Sequence, residues 1–84
     1  MQTYLEKRDP ATNQARYYRM QVLPNLFGAW TLYREWGRIG QRGKVRMEWF
    51  DSEDLAVGAL IALEGAKRRR GYWVEPQQLA MFGE

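Results

Sequence analysis

Apolar and polar residues alternate with period two through most of the first fifty positions, and the pattern then lengthens to a helical period. Residues 3–8 (Thr-Tyr-Leu-Glu-Lys-Arg) read as a first strand, and Asp9-Pro10 with Asn13 forms the loop after it. Residues 15–23 put Tyr18, Met20 and Val22 on one face and Tyr17, Arg19 and Gln21 on the other, the pattern of a half-buried strand. Pro24-Asn25 and Gly28 punctuate the next connection. Residues 29–36 alternate again, with Trp30, Leu32, Arg34 and Trp36 sharing one face and Thr31, Tyr33 and Glu35 the other. Val45, Met47 and Trp49 mark a fourth strand. Gly37, Gly40 and Gly43 lie between these two strands and predict a hairpin that needs positive φ or a close backbone approach.

Asp51 or Ser52 caps the helix that follows, and Glu53 and Asp54 in its first turn suit the positive end of its dipole. Leu55, Ala59, Ala62, Leu63 and Ala66 fall at helical spacing. Lys67-Arg68-Arg69-Arg70 occupies the negative end, and Gly71 is a natural residue to stop on. Gly58 and Gly65 each weaken the helix by about 1 kcal/mol relative to Ala, which suggests that they permit close packing on the sheet. Residues 72–74 (Tyr-Trp-Val) are placed to pair briefly with the sheet. The pattern predicts an α+β fold: a small antiparallel sheet of about four strands with one helix packed on one face. The domain covers residues 1–75, and a tail of residues 76–84 begins at Pro76.

With 84 residues there is room for one domain, and 45% hydrophobic against 27% charged residues fits a folded chain rather than a disordered one. The absence of Cys and His excludes disulfides, thiolate nucleophiles, Cys/His zinc sites and histidine acid–base chemistry. Asp51, Glu53 and Asp54 come without any other ligand type, so they read as helix capping, and neither a metal nor a cofactor is expected. There is no Gly-rich phosphate loop before a helix and no convincing catalytic carboxylate pair, so the chain does not read as an enzyme. No apolar run approaches the ~20 residues of a membrane span, and Met1–Pro10 has no signal-peptide stretch. The expected location is cytoplasmic.

Charge changes the picture once it is divided along the chain. Residues 1–50 carry nine Lys/Arg against Glu6, Asp9, Glu35 and Glu48, while residues 51–84 carry four against six acids. The excess concentrates in residues 34–46, where Arg34, Arg38, Arg42, Lys44 and Arg46 face Glu35 alone. Such a patch suits a polyanion, nucleic acid above all, because guanidinium forks and turn amides both bind phosphate oxygens. The alternative is that these are solvated strand edges protected by their charge. The second basic run, Lys67–Arg70, reads either as a helix end satisfying its dipole or as an auxiliary phosphate contact.

Trp36-Gly37-Arg38-Ile39-Gly40, followed by Gly43, resembles the signature of the WGR domain, a family found in poly(ADP-ribose) polymerases and in short bacterial proteins. The surroundings resemble it too. They include a strand bearing Tyr18, an aromatic strand into the triplet, a glycine turn, a basic strand, an acidic-capped helix and a closing Gly71-Tyr72. The likeness extends over about residues 3–73 and implies a small antiparallel sheet with one helix against it. It also implies a non-enzymatic module that binds DNA near a 5′ end, with preference for ends or nicks and a place in DNA repair. The triplet Trp would lie against the terminal sugar and the triplet Arg would serve the DNA backbone, roles that fall on Trp36 and Arg38. The catalytic and zinc-finger domains that accompany the domain in those polymerases have no counterpart in these 84 residues. The candidate DNA-binding residues are therefore Trp36, Gly37 and Arg38 from the motif and Arg34, Arg42, Lys44 and Arg46 from charge and placement. Without the resemblance, Trp36 would read as a core aromatic; Trp30 and Trp49 read as core in either case.

In the tail, Gln78-Leu79-Ala80-Met81-Phe82 is similar to the short peptide with which bacterial replication and repair proteins bind the sliding clamp. Leu79, Met81 and Phe82 would enter apolar pockets while Gln78 fixes register by hydrogen bonds. The alternatives are a protein-interaction adaptor that works through this tail, or a tail that folds back on the sheet.

Overall fold

The computed structural model describes residues 1–73, and its elements follow the alternation closely. Strands β1 (Gln2–Asp9), β2 (Gln14–Pro24), β3 (Trp30–Arg38) and β4 (Lys44–Phe50) form one sheet in the order β1-β2-β3-β4, each antiparallel to its neighbour. One helix, α1 (Glu53–Arg69), crosses one face. This is the expected α+β arrangement, with each strand one or two residues longer than its alternating core.

Local chemistry sets the connections. The Asp9 carboxylate accepts the Ala11 amide at 3.2 Å over a short 3-10 turn, Pro10–Thr12, and Asn13 closes it in the left-handed region at φ 55°. Asn25 Oδ1 accepts the amides of Phe27 and Ala29 at 2.9 and 3.1 Å, which holds the β2–β3 loop with Phe27 facing outward. In the β3–β4 hairpin the glycines divide the work. Gly40 takes positive φ, at 88°. A Cβ on Gly37 would lie 2.8 Å from Gly43 Cα, and one on Gly43 would strike the Trp36 carbonyl and the Tyr17 hydroxyl. Those two positions need glycine for close approach, not for φ.

Ser52 is the N-cap of α1, its hydroxyl accepting the Leu55 amide at 3.2 Å. At the other end Gly71 turns left-handed at φ 97°, and the Tyr72 amide returns to the Lys67 carbonyl at 3.0 Å, which aims the chain back at the sheet. Trp73 then exchanges two backbone hydrogen bonds of 2.9 Å with Glu6 along the outer edge of β1, the brief pairing expected for this segment.

The core is built from Leu5, Tyr18, Met20, Val22 and Leu32 of the sheet with Ala56 and Leu60 of the helix. Burial of each such Leu contributes about 2 kcal/mol. Three expectations are corrected. The buried helical residues are Ala56 and Leu60, while Leu55 and Ala62 are exposed; in a helix rich in Ala and Gly the apolar stripe has too little contrast to define its phase. Gly58 and Gly65 do not mediate packing on the sheet: nothing lies within 4 Å of a Cβ built on Gly58, and Gly65 meets only the Arg69 side chain of its own helix. Trp49 is not a core residue but is 60% exposed, stacked on Phe27 with ring centroids 5.3 Å apart. Its register with Thr31 turns it to the face that the helix leaves bare. Trp30 does pack against the core.

Candidate nucleic-acid interface

Cross-strand partners share a face, so the register arranges the helix-side residues in rows. One row is Lys7, Arg16 and Arg38; the next is Leu5, Tyr18, Trp36 and Lys44; then come Thr3, Met20, Arg34 and Arg46, followed by Val22, Leu32 and Glu48. The face therefore grades from cationic at one end to apolar at the other. The helix caps the apolar end with Ala56 and Leu60 and brings Lys67, Arg70 and Tyr72 to the cationic end.

There a cleft of about 330 Å³ opens between Lys7, Gln14, Arg16, Tyr18, Trp36, Lys67, Arg70 and Tyr72. A second, of about 270 Å³, lies across Arg16 and Trp36 and is completed by Gly37, Arg42, Gly43 and Lys44. Arg16 and Trp36 form the ridge shared by both. The walls are ordered by aromatic contacts. Trp36 stacks on Tyr18 at 5.6 Å and 13°, and Tyr72 meets Tyr18 edge-on at 6.2 Å. Lys67 Nζ sits 4.5 Å from the Tyr18 ring centroid, and Lys7 Nζ sits 5.9 Å from that of Tyr72. Among the described residues, Lys7, Arg16, Lys67 and Arg70 have no carboxylate within salt-bridge distance. Burial, with the nearby charges of Arg70 and Arg34, pushes the Lys67 ammonium below its ordinary range. An anion placed in the cleft would reverse that disfavour.

The candidate residues separate on inspection. Trp36, Gly37, Arg42 and Lys44 line the clefts, and Arg38 is exposed at the end of the cationic row. Arg46 is exposed, 4.0 Å from Glu48. Arg34 instead turns inward. Its Nε donates to the Tyr18 hydroxyl at 2.8 Å, its Nη1 pairs with Glu48 at 2.9 Å, and its guanidinium lies 5.5 Å from the Trp36 ring centroid. It braces the two aromatic side chains instead of offering its fork to solvent. Gln78, Leu79, Met81 and Phe82 lie outside the described residues. Sequence reasoning missed Lys7 and Arg16. Arg16 was within reach, because the alternation that places Tyr18, Met20 and Val22 on one face also places Arg16 there.

The helix-free face has a different chemistry. Glu35 accepts from Tyr17 at 2.7 Å and Tyr33 at 3.3 Å and pairs with Arg19, and these partners, Arg19 foremost, hold its carboxyl below the usual range. Tyr4 donates to Glu6 at 2.8 Å, and burial together with that bond raises its phenol to about 12. Its cations are matched by acids.

The result is a small sheet-and-helix domain whose cations around an aromatic ridge stand, among the described residues, without acidic partners. The sequence matches the WGR domain over residues 1–78, and the chain belongs to that family, which is of the nucleic-acid-binding type. It is similar to the uncharacterized protein y4dW of Sinorhizobium fredii (strain NBRC 101917 / NGR234), with 47% identity over 73 residues, covering 87% of this chain and 36% of that protein. The chain thus spans about a third of that relative's length. No solved structure matches it. No described helix is long and apolar enough to cross a membrane.

Proposed function

We propose that the chain is a non-enzymatic DNA-binding module, independent of sequence, that prefers ends or nicks. The observation that carries this reading is the cleft in which Lys7, Arg16, Lys67 and Arg70 surround Trp36 with no carboxylate partner among the described residues. Phosphates supply the missing counter-charge, with Arg38, Arg42 and Lys44 extending the cationic track past Trp36. A continuous duplex can offer its backbone phosphates to these cations but keeps its sugars and bases within the stack. A terminus or nick also frees a sugar edge, and the position of Trp36 between the two clefts supports its packing against one. Base-specific readout has no support, since α1 packs its middle on the sheet instead of presenting a recognition face.

The test is a fluorescence-polarisation titration of a 5′-phosphorylated blunt duplex, a single strand and an end-free closed dumbbell, each at two salt concentrations. The expected result is tightest, salt-dependent binding to the open duplex. Trp36→Ala should lose the preference for ends more than overall affinity. Flat curves for all three at low salt would overturn the reading.

A further inference from the structure

The two outer edges of the sheet are finished differently. Trp73 covers part of β1, whereas among the described residues β4 pairs only with β3. On the helix-free face β4 presents Val45, Met47 and Trp49, exposed at 49, 61 and 60%, with Phe27 stacked on Trp49. An open edge beside apolar surface is a template for another strand.

We propose that β4 pairs antiparallel with β4 of a second copy of this chain, about a two-fold axis through Met47, to give one continuous eight-stranded sheet. The order of side chains selects this register. Residues opposite each other in an antiparallel pair share a face, so the apolar positions 45, 47 and 49 must meet one another. With the axis at Met47, Arg46 stands opposite the partner's Glu48, Val45 opposite the partner's Trp49, and Lys44 opposite the partner's Phe50, each pair occurring twice. An axis at Arg46 would set two guanidinium groups face to face, and an axis at Glu48 two carboxylates. A half-residue shift would put the apolar face against the charged one. Beyond Phe50 the exposed Asp51 falls opposite the partner's Gly43, next to its Lys44. This complementarity favours a second copy over the chain's own residues 74–84, which contain no Lys or Arg to meet Glu48. The cleft between Lys7, Trp36 and Lys67 has no β4 residue in its lining, so the pairing meets the DNA reading only at Lys44.

Light-scattering mass of the full chain across the micromolar range, without nucleic acid, tests the pairing. The wild type should approach twice the mass of one chain. Met47→Lys and Met47→Glu place like charges on the axis, so each alone should be monomeric, and an equimolar mixture should regain the doubled mass. Circular dichroism checks that each variant is folded. Because the chain has no cysteine, Met47→Cys should cross-link to a dimer far faster than Leu26→Cys, a still more exposed position outside β4, and equal rates would count against the pairing even if a charged variant fails to fold. A wild type that stays monomeric, a dimer indifferent to both charged substitutions, or a dimer lost when residues 77–84 are removed would each overturn the proposal.

Discussion

The two faces of this sheet are made from the same strands and carry many of the same residue types, yet they treat charge in opposite ways. On the bare face the cations meet acids: Arg8 pairs with Glu6 and Arg19 with Glu35, and tyrosine hydroxyls complete both carboxylates. On the helix side Asp9 caps its own 3-10 turn and Glu48 is engaged by Arg34 with Arg46 at its margin, and among the described residues Lys7, Arg16, Lys67 and Arg70 around the cleft are left unmatched. A count of Lys and Arg does not identify a binding surface. What distinguishes the faces is where the register puts the acids and what they are used for: Glu6 and Glu35 pair with the cations of one face, while on the other Asp9 is taken up by the Ala11 amide and Glu48 by Arg34.

The largest way to break the contrast is to remove the acid that Arg34 pairs with on the basic side. Glu48→Ala leaves the Arg34 side chain, 16% exposed, without its carboxylate and should destabilise the fold. The loss should be about 2 kcal/mol, below the ~3–5 of a fully buried pair because Glu48 is itself 32% exposed. Arg19→Ala, which opens the corresponding pair on the other face, should cost under about 1 kcal/mol, since Arg19 is 52% exposed. Urea denaturation of the two variants checks the order.

A second measurement sharpens the contrast in binding. Arg16→Gln and Lys67→Gln should each lower the slope of log K against log salt on duplex DNA by about 0.9, the loss of one phosphate contact. Arg19→Gln should leave the slope unchanged, because its charge is already committed to Glu35. Equal slopes for all three variants would erase the distinction between the faces.

The smallest effect is in acid. Arg19 first, then Tyr17, lowers the Glu35 carboxyl below its ordinary 4.5. A depressed carboxylate contributes stability that is fully present above its unfolded value and is lost as pH falls through the lower folded value. Thermal melts should therefore show an acid limb below 4.5 that Glu35→Gln flattens and Arg16→Gln leaves intact.

Much of this was legible in the chain. Alternation gave the strands, the glycine spacing gave the hairpin, and Ser52 with Gly71 bracketed the helix. What alternation cannot give is which parity faces the helix, and β4 shows why. Its helix-side set is the charged Lys44, Arg46 and Glu48, of which Lys44 and Arg46 stay exposed, and its other side is Val45, Met47 and Trp49, the reverse of a strand sorted by hydropathy. Only the register with Leu32 and Trp36 reveals this. The cleft was harder still, because its cations come from β1, β2 and the helix end, which are brought together by pairing and by the turn at Gly71. The basic segment 34–46 supplied only one side of it.

The short bridge between Glu6 and Trp73 has a consequence for motion. Its two residues adjoin Lys7 and Tyr72, so a pair of backbone hydrogen bonds at the sheet margin fastens opposite walls of the cleft, with Gly71 as the pivot. Parting that clasp would swing Tyr72 from Tyr18 and unroof the cleft while leaving Leu5, Met20 and Leu32 packed, a local opening far below the free energy of global unfolding. Isotope exchange at the amides of residues 6 and 73 is thus a natural clock for the cleft. An occupant bridging Lys7 and Lys67 slows it at two positions it never touches.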